Sequence, residues 1–177
     1  MEAMLNAAHE DGISELFATP HVAPGLKPFP FDRFELHLEE ARAYCRQRGD
    51  GMRLHTGAEL MYTPAMARFA LERKLPALGD SQQVLMEFAP DVSMRDMRNA
   101  VELLERSGYT AVLAHVERYN CLFLGKNAWK LKEELDVRYQ LNASSVIGGR
   151  GLLRNAFVRR WLREGLIDFV ASDAHNC

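Results

Sequence analysis

Long apolar runs, basic tracts and paired cysteines are all missing from this chain. None of its hydrophobic stretches approaches the roughly 20 residues needed to cross a bilayer, so membrane insertion is not expected. Net charge is −2, with no cluster of lysines and arginines of the kind that grips a phosphate backbone. Nucleic acid is therefore not the expected partner. The opening "MEAMLNAAHEDG" lacks the charged start and apolar core of a secretory leader, and a cytoplasmic location is expected. Cys45, Cys121 and Cys177 are too few and too far apart for a disulfide framework or a zinc knuckle. They read as reduced structural thiols. No Gly-x-Gly-x-x-Gly follows any predicted strand, which argues against a dinucleotide site. Internal repeats, low-complexity segments and long linkers are also absent, and residues 1–177 read as a single domain.

What is present is a regular alternation. With 47% hydrophobic and 26% charged residues, the chain can build an ordinary globular core. Helices are expected over 1–12, 31–50, 63–74, 93–108, 126–136 and 151–165. Gly12 and Gly49 act as stops, Asp32 and Ser93 as caps, and Pro64 lies in a first turn. Strands are expected in "ISELFAT", "MRLHTGAEL", "QVLMEF", "YTAVLAH", "VRYQLNAS" and "LIDFVAS". "APGLKPFP" is a proline-rich loop. Alternation of this kind means parallel strands with crossover helices. A closed or nearly closed α/β barrel with its helices outside is the architecture expected.

The strand ends carry the chemistry. His21 follows "ISELFATP", and Glu59 ends the next strand. Glu87 lies within "VLMEF", and His115 ends "YTAVLAH". Asp173 and His175 follow "LIDFVAS". "VRYQLNAS" offers Asn142 instead, a poor metal ligand. In a parallel barrel the C-terminal strand ends share one mouth. Carboxylates gathered there repel one another unless a cation lies between them. Imidazole and carboxylate together suit Zn, Mn or Fe, and the lack of a cysteine ligand argues against a structural zinc site. Two ions bridged by a carboxylate could bind a phosphate and acidify a water.

Each residue also has a plainer role open to it. His21 could bond a loop, Glu59 could be a solvated strand end, His115 a core histidine, and Asp173 with His175 a turn pair. Glu87 fits a plain role least well, because a carboxylate flanked by apolar residues is buried and needs a partner. His9, His37 and His55 lack the strand-end pattern and read as structural or exposed. Arg159, Arg160 and Arg163 read as the solvated face of a helix, and the methionines as core filler. Arg118 lies just past His115, placed to grip phosphate oxygens. Its plainer alternative is a surface ion pair with Glu117.

The ordered segments "FATPHV", "GAEL", "VLMEF", "AHVERY", "QLNASSVIG" and "ASDAH" resemble the PHP (polymerase and histidinol phosphatase) superfamily. Within it they are most similar to the capsule-associated manganese-dependent tyrosine phosphatases of the CpsB/YwqE type. The resemblance implies a distorted (β/α)7 barrel holding up to three divalent ions, manganese first, with iron or zinc as alternatives. It implies hydrolysis of phosphotyrosine on a bacterial tyrosine kinase of exopolysaccharide synthesis. By motif, His21 and His175 would share one metal, and Glu59 and His115 a second. Glu87 would bridge, Asp173 would serve a further metal, and Arg118 would bind phosphate. Val116 replaces a proline of the family motif, which is expected to loosen that loop slightly.

Two departures set further expectations. The chain contains no His-x-His pair, whereas the family's first strand carries one. The family also continues beyond "SDAHN" into a closing segment with a second phosphate-binding arginine. A partial barrel is therefore expected, lacking the first strand and the closing segment. Such a barrel would have open sheet edges prone to self-association, a weakened metal position and impaired activity. A small-molecule phosphatase of the histidinol-phosphate type, and a non-catalytic remnant acting as a binding module, are the competing readings.

Overall fold

The computed structural model describes residues 1–49, 51–147 and 151–174. Eight parallel strand segments alternate with helices: β1 (Glu15–Ala18), β2 (His21–Val22), β3 (Arg53–Thr56), β4 (Glu59–Met61), β5 (Gln83–Glu87), β6 (Thr110–Leu113), β7 (Val137–Asn142) and β8 (Phe169–Ala171). The helices are α1 (Glu2–Glu10), α2 (Phe31–Arg48), α3 (Met66–Leu71), α4 (Met94–Arg106), α5 (Asn127–Glu134), α6 (Ala143–Ile147) and α7 (Leu152–Arg163). Short 3₁₀ turns cover Val116–Arg118 and Asn120–Phe123.

The second expected strand is broken into two segments, and the first is followed by a short strand, β2, that was not expected. Pro20 has no N–H to offer the ladder, and the chain bends there between β1 and β2. Gly57 bends the neighbouring strand between β3 and β4. A Cβ at Gly57 would lie 2.9 Å from Leu78 Cδ2 and 3.0 Å from Thr19 Cγ2, so the two bends nest only because Gly57 has no side chain. The inner segments join one sheet in the order β2-β4-β5-β6-β7-β8, while β1 and β3 pair separately. Register is parallel throughout: His21 lies beside Glu59, Leu60 beside Met86, and Leu85 beside Val112.

This is an α/β fold with a curled parallel sheet. The expectation of a closed or nearly closed barrel needs correction. Among the described residues β2 and β8 each pair within this sheet on one side only, so the sheet curls without closing.

Two cores hold the layers together. The larger lies around β4–β7 and includes Leu60, Met86, Leu113, Tyr139 and Trp161, each essentially inaccessible. Helix α4 feeds it with Met97, Ala100, Val101 and Leu104, a single 3.6-period stripe. Truncating one such leucine costs about 2–5 kcal/mol. The smaller core joins Leu5, Leu38, Cys45 and Leu54 under α1, α2 and β3.

Local signals in the sequence mostly act as expected. Ser93 caps α4, accepting the Asp96 N–H at 3.1 Å. Gly49 ends α2 in the left-handed region. Gly12, also left-handed, closes α1: its N–H bonds His9 O, and Ile13 N–H bonds Ala8 O. Two assignments move. Pro30, not Asp32, occupies the N-cap of α2, and Asp32 lies in the first turn, where its charge favours the helix dipole. Pro64 precedes the Ala65 cap of α3 rather than lying within the helix.

The loop leaving β2 is tied to the start of α3. Thr63 Oγ1 donates to Pro24 O at 2.7 Å, a buried bond. Gly25, at φ +77°, packs so closely that a Cβ would sit 2.5 Å from Ala65 Cβ.

Candidate metal centre at the strand ends

Four of the expected side chains meet at one mouth: Glu87 ends β5 and His115 follows β6, whereas His21 and Glu59 open β2 and β4 rather than closing the strands that precede them. His115 Nε2 lies 2.6 Å from Glu59 Oε1 and 3.5 Å from Glu87 Oε2. His21 Nδ1 lies 3.2 Å from Glu87 Oε1. Glu87 thus has one imidazole on each oxygen. His21, Glu59 and Glu87 offer ligand atoms within 4.8 Å of one another. That is close to the ~4.2 Å span allowed for two ligands each ~2.1 Å from one ion.

Asp173 sits across the mouth. Its Oδ2 accepts from Arg118 Nη2 at 2.9 Å and from Asn142 Nδ2 at 2.7 Å. His175 lies outside the described residues, as does Cys177.

The backbone works to present these groups. His115 has φ 36° and Asp173 φ 51°, both left-handed and both non-glycine. Such positions cost about 1–3 kcal/mol and persist where the surroundings fix them. At His115 the sharp turn starts the Val116–Arg118 3₁₀ segment, which carries Arg118 back toward the mouth. Tyr119 follows, its hydroxyl accepting the Phe88 N–H at 3.1 Å and so fixing the chain just beyond Glu87.

Electrostatics follow from burial and pairing. Burial disfavours a charged imidazole at His115, but hydrogen bonds to Glu59 and Glu87 outweigh it and raise the pKa to about 9. The bond to His115 lowers the Glu87 pKa against the opposing effect of burial. Burial pushes the Tyr119 phenol up, keeping it neutral. A proton on His115 therefore sits between two carboxylates, the position a divalent cation takes when carboxylate and imidazole share it. The donor set, all nitrogen and oxygen, fits such an ion.

Some sequence readings shift. Glu117 is not a surface partner for Arg118. It is fully buried, and Ser145 on α6 donates to its Oε1 at 2.9 Å. Arg118 pairs with Asp173 instead. Val116, in place of the family's proline, is fully buried in the core. His37 bonds Glu40 at the surface, while His55 bonds Glu15 and stacks on Phe17. His9 is exposed on α1. Arg160 pairs with Glu164 on the outer face of α7, opposite buried Trp161.

Gln140 and Tyr119 were not singled out by sequence, and Asn142 was noted only as a poor ligand. The signal was present. A Gln and an Asn at buried positions of a strand must find partners.

The described residues thus form an α/β fold with a curled parallel sheet, in which a group of imidazoles and carboxylates lies close enough to hold a metal ion. The family model for "Capsular polysaccharide synthesis, CpsB/CapC" matches residues 1–177, and the chain belongs to that family. It is 25% identical over 182 residues to tyrosine-protein phosphatase CpsB of Streptococcus pneumoniae, covering 99% of this chain and 74% of that protein. To tyrosine-protein phosphatase YwqE of Bacillus subtilis (strain 168) it is 29% identical over 177 residues, covering 98% and 68%. Among solved structures it matches a chain from the crystal structures of YwqE and CpsB, described as metal-dependent tyrosine phosphatases. There the TM-score is 0.83 at 27% identity, covering 98% of this chain and 70% of that one.

Proposed function

We propose that the chain is a metal-dependent protein-tyrosine phosphatase acting in capsule or exopolysaccharide synthesis, with a phosphotyrosine-bearing bacterial tyrosine kinase as substrate. The observation that carries this reading is the convergence of His21, Glu59, Glu87 and His115 at one mouth, with Arg118 beside them. The relatives named as tyrosine phosphatases support it.

In this reading Glu59 and His115 would hold one divalent ion, manganese first, His21 would help hold another, and Glu87 would serve both. Asp173 and His175 complete the ligand set. A cation there supplies charge neutralisation for the phosphate and lowers the pKa of a bound water. Arg118 presents a planar fork of N–H donors suited to two phosphate oxygens. Asp173 holds that fork at the mouth. We place the reaction in the cytoplasm, on a single PHP-type domain spanning residues 1–177.

The test is hydrolysis of a phosphotyrosine peptide by the purified chain with added Mn(II), and again after chelation. Release of phosphate that chelator abolishes is the expected result. Equal turnover with and without chelator, or none with Mn(II), overturns the reading.

A further inference from the structure

Strand β7 contributes no acidic or imidazole ligand, yet two of its side chains reach both sides of the mouth. His115 N–H donates to Gln140 Oε1 at 2.7 Å. Gln140 Nε2 donates to Asn142 Oδ1 at 3.0 Å. Asn142 Nδ2 donates to Asp173 Oδ2 at 2.7 Å. Gln140 and Asn142 are 6% and 3% exposed, so these bonds form away from bulk water.

The direction of this chain of bonds is fixed by chemistry at both ends. A backbone N–H can only donate, and a carboxylate can only accept. The His115 amide must therefore face the oxygen of Gln140, whose NH₂ must face the oxygen of Asn142. The NH₂ of Asn142 is then left for Asp173. Neither amide can be turned over without setting acceptor against acceptor or donor against donor. The two residues at the ends, His115 and Asp173, are both in the left-handed backbone region, where the surroundings must hold a non-glycine residue.

We infer that Gln140 and Asn142 are positioning residues for the metal centre: a one-way amide relay on β7 sets His115 and Asp173 at a fixed separation before any cation arrives. This rests on the metal-site reading above and adds which residues preorganise it. Groups that orient ligands in this way typically contribute 10–100-fold in metal affinity.

Gln140→Glu is the discriminating variant. It keeps the volume and the acceptor for His115 N–H. Ionised, it cannot donate to Asn142, so either that joint or the one to Asp173 becomes acceptor against acceptor. Asn142→Ala removes the second joint outright. Tyr139→Phe is the control. It lies on the same strand and loses a buried bond of its hydroxyl to Ala128 O, 2.8 Å long, but takes no part in the relay. Mn(II) titration of the full chain by calorimetry, alongside the melting temperature of the metal-free protein, gives the readout.

Gln140→Glu and Asn142→Ala are expected to weaken Mn(II) binding about 10- to 100-fold. Tyr139→Phe is expected to lower the melting temperature with Mn(II) affinity unchanged. In the metal-free Gln140→Glu protein the His115 amide NMR resonance is expected to stay downfield, its acceptor being intact. Wild-type Mn(II) affinity in Gln140→Glu overturns the relay, as does equal weakening in Tyr139→Phe. Should Asn142→Ala fail to fold, Gln140→Glu decides alone. These outcomes are independent of turnover: a chain that binds Mn(II) but hydrolyses no phosphotyrosine removes the phosphatase reading and leaves the relay standing.

Discussion

His115 and His21 offer the same imidazole to the same carboxylate, Glu87, from opposite sides, yet their settings differ. The His115 side chain is 3% exposed and that of His21 is 55% exposed. His115 stands between two carboxylates, with its backbone held by Gln140. His21 opens a two-residue strand on the sheet edge, just beyond a proline bend. The contrast teaches that one half of the site is built into the core while the other opens to solvent. Substrate and water would enter from the His21 side, and the His115 half supplies the rigid reference.

Glu87 joins the halves, so removing its charge should break the comparison altogether. Glu87→Gln is expected to abolish Mn(II)-dependent hydrolysis, a loss of several kcal/mol of charge stabilisation or about a thousandfold in kcat/KM. Phosphate release from a phosphotyrosine peptide measures it. Retained activity within tenfold of wild type would show that Glu87 is not part of the machinery.

The two histidines should then separate by stability. His115→Asn leaves Glu59 and Glu87 buried without their shared partner, and a loss of about 3–5 kcal/mol is expected in urea unfolding of the metal-free protein. His21→Asn should stay within about 1 kcal/mol of wild type, because its pair is half in water. Equal losses would erase the distinction between a built half and an open half.

Arg118→Lys sharpens the picture on the substrate side. It keeps the charge but loses the bidentate fork. A rise in KM of about tenfold, with a smaller change in kcat, is the expected outcome of steady-state kinetics. The reverse pattern would remove Arg118 from ground-state phosphate binding.

The smallest effect is a proton. His115 is held near a pKa of about 9, against ~6.5 in an unfolded chain. The stability it gives the metal-free protein is fully present below pH ~6.5 and is lost as pH rises through about 9. If His115 is a ligand as proposed, a bound metal would have to displace this proton. Calorimetry at pH 7 in buffers of different ionisation enthalpy should therefore read about one proton released, and none well above pH 9. A proton count near zero at both would mean that His115 is not a ligand.

Much of this contrast was legible in the sequence. Glu87, His115 and Asp173 were legible as polar residues at or just past the ends of apolar strands, while His21 and Glu59 were picked out by the same pattern but open short strands of their own. Ser93 and Gly49 were legible because caps are local chemistry. The bends at Pro20 and Gly57 were not, since nesting of two strands is a tertiary event. Glu117 was misjudged because its neighbour Arg118 looked like a partner, while Ser145 lies on a short helix with no pattern of its own. The roles of Gln140 and Asn142 stayed hidden because a strand buried on both faces loses the alternation that marks orientation.

The seat of Gly25 against Ala65 reaches further than its own loop. Position 25 lies four residues from the solvent-facing imidazole, and position 65 sits at the mouth of another helix. Position 25 cannot gain a methyl while 65 keeps its own. Lineages that place a methyl at 25 must surrender one at 65 and still accept a left-handed backbone, so the two sites should covary.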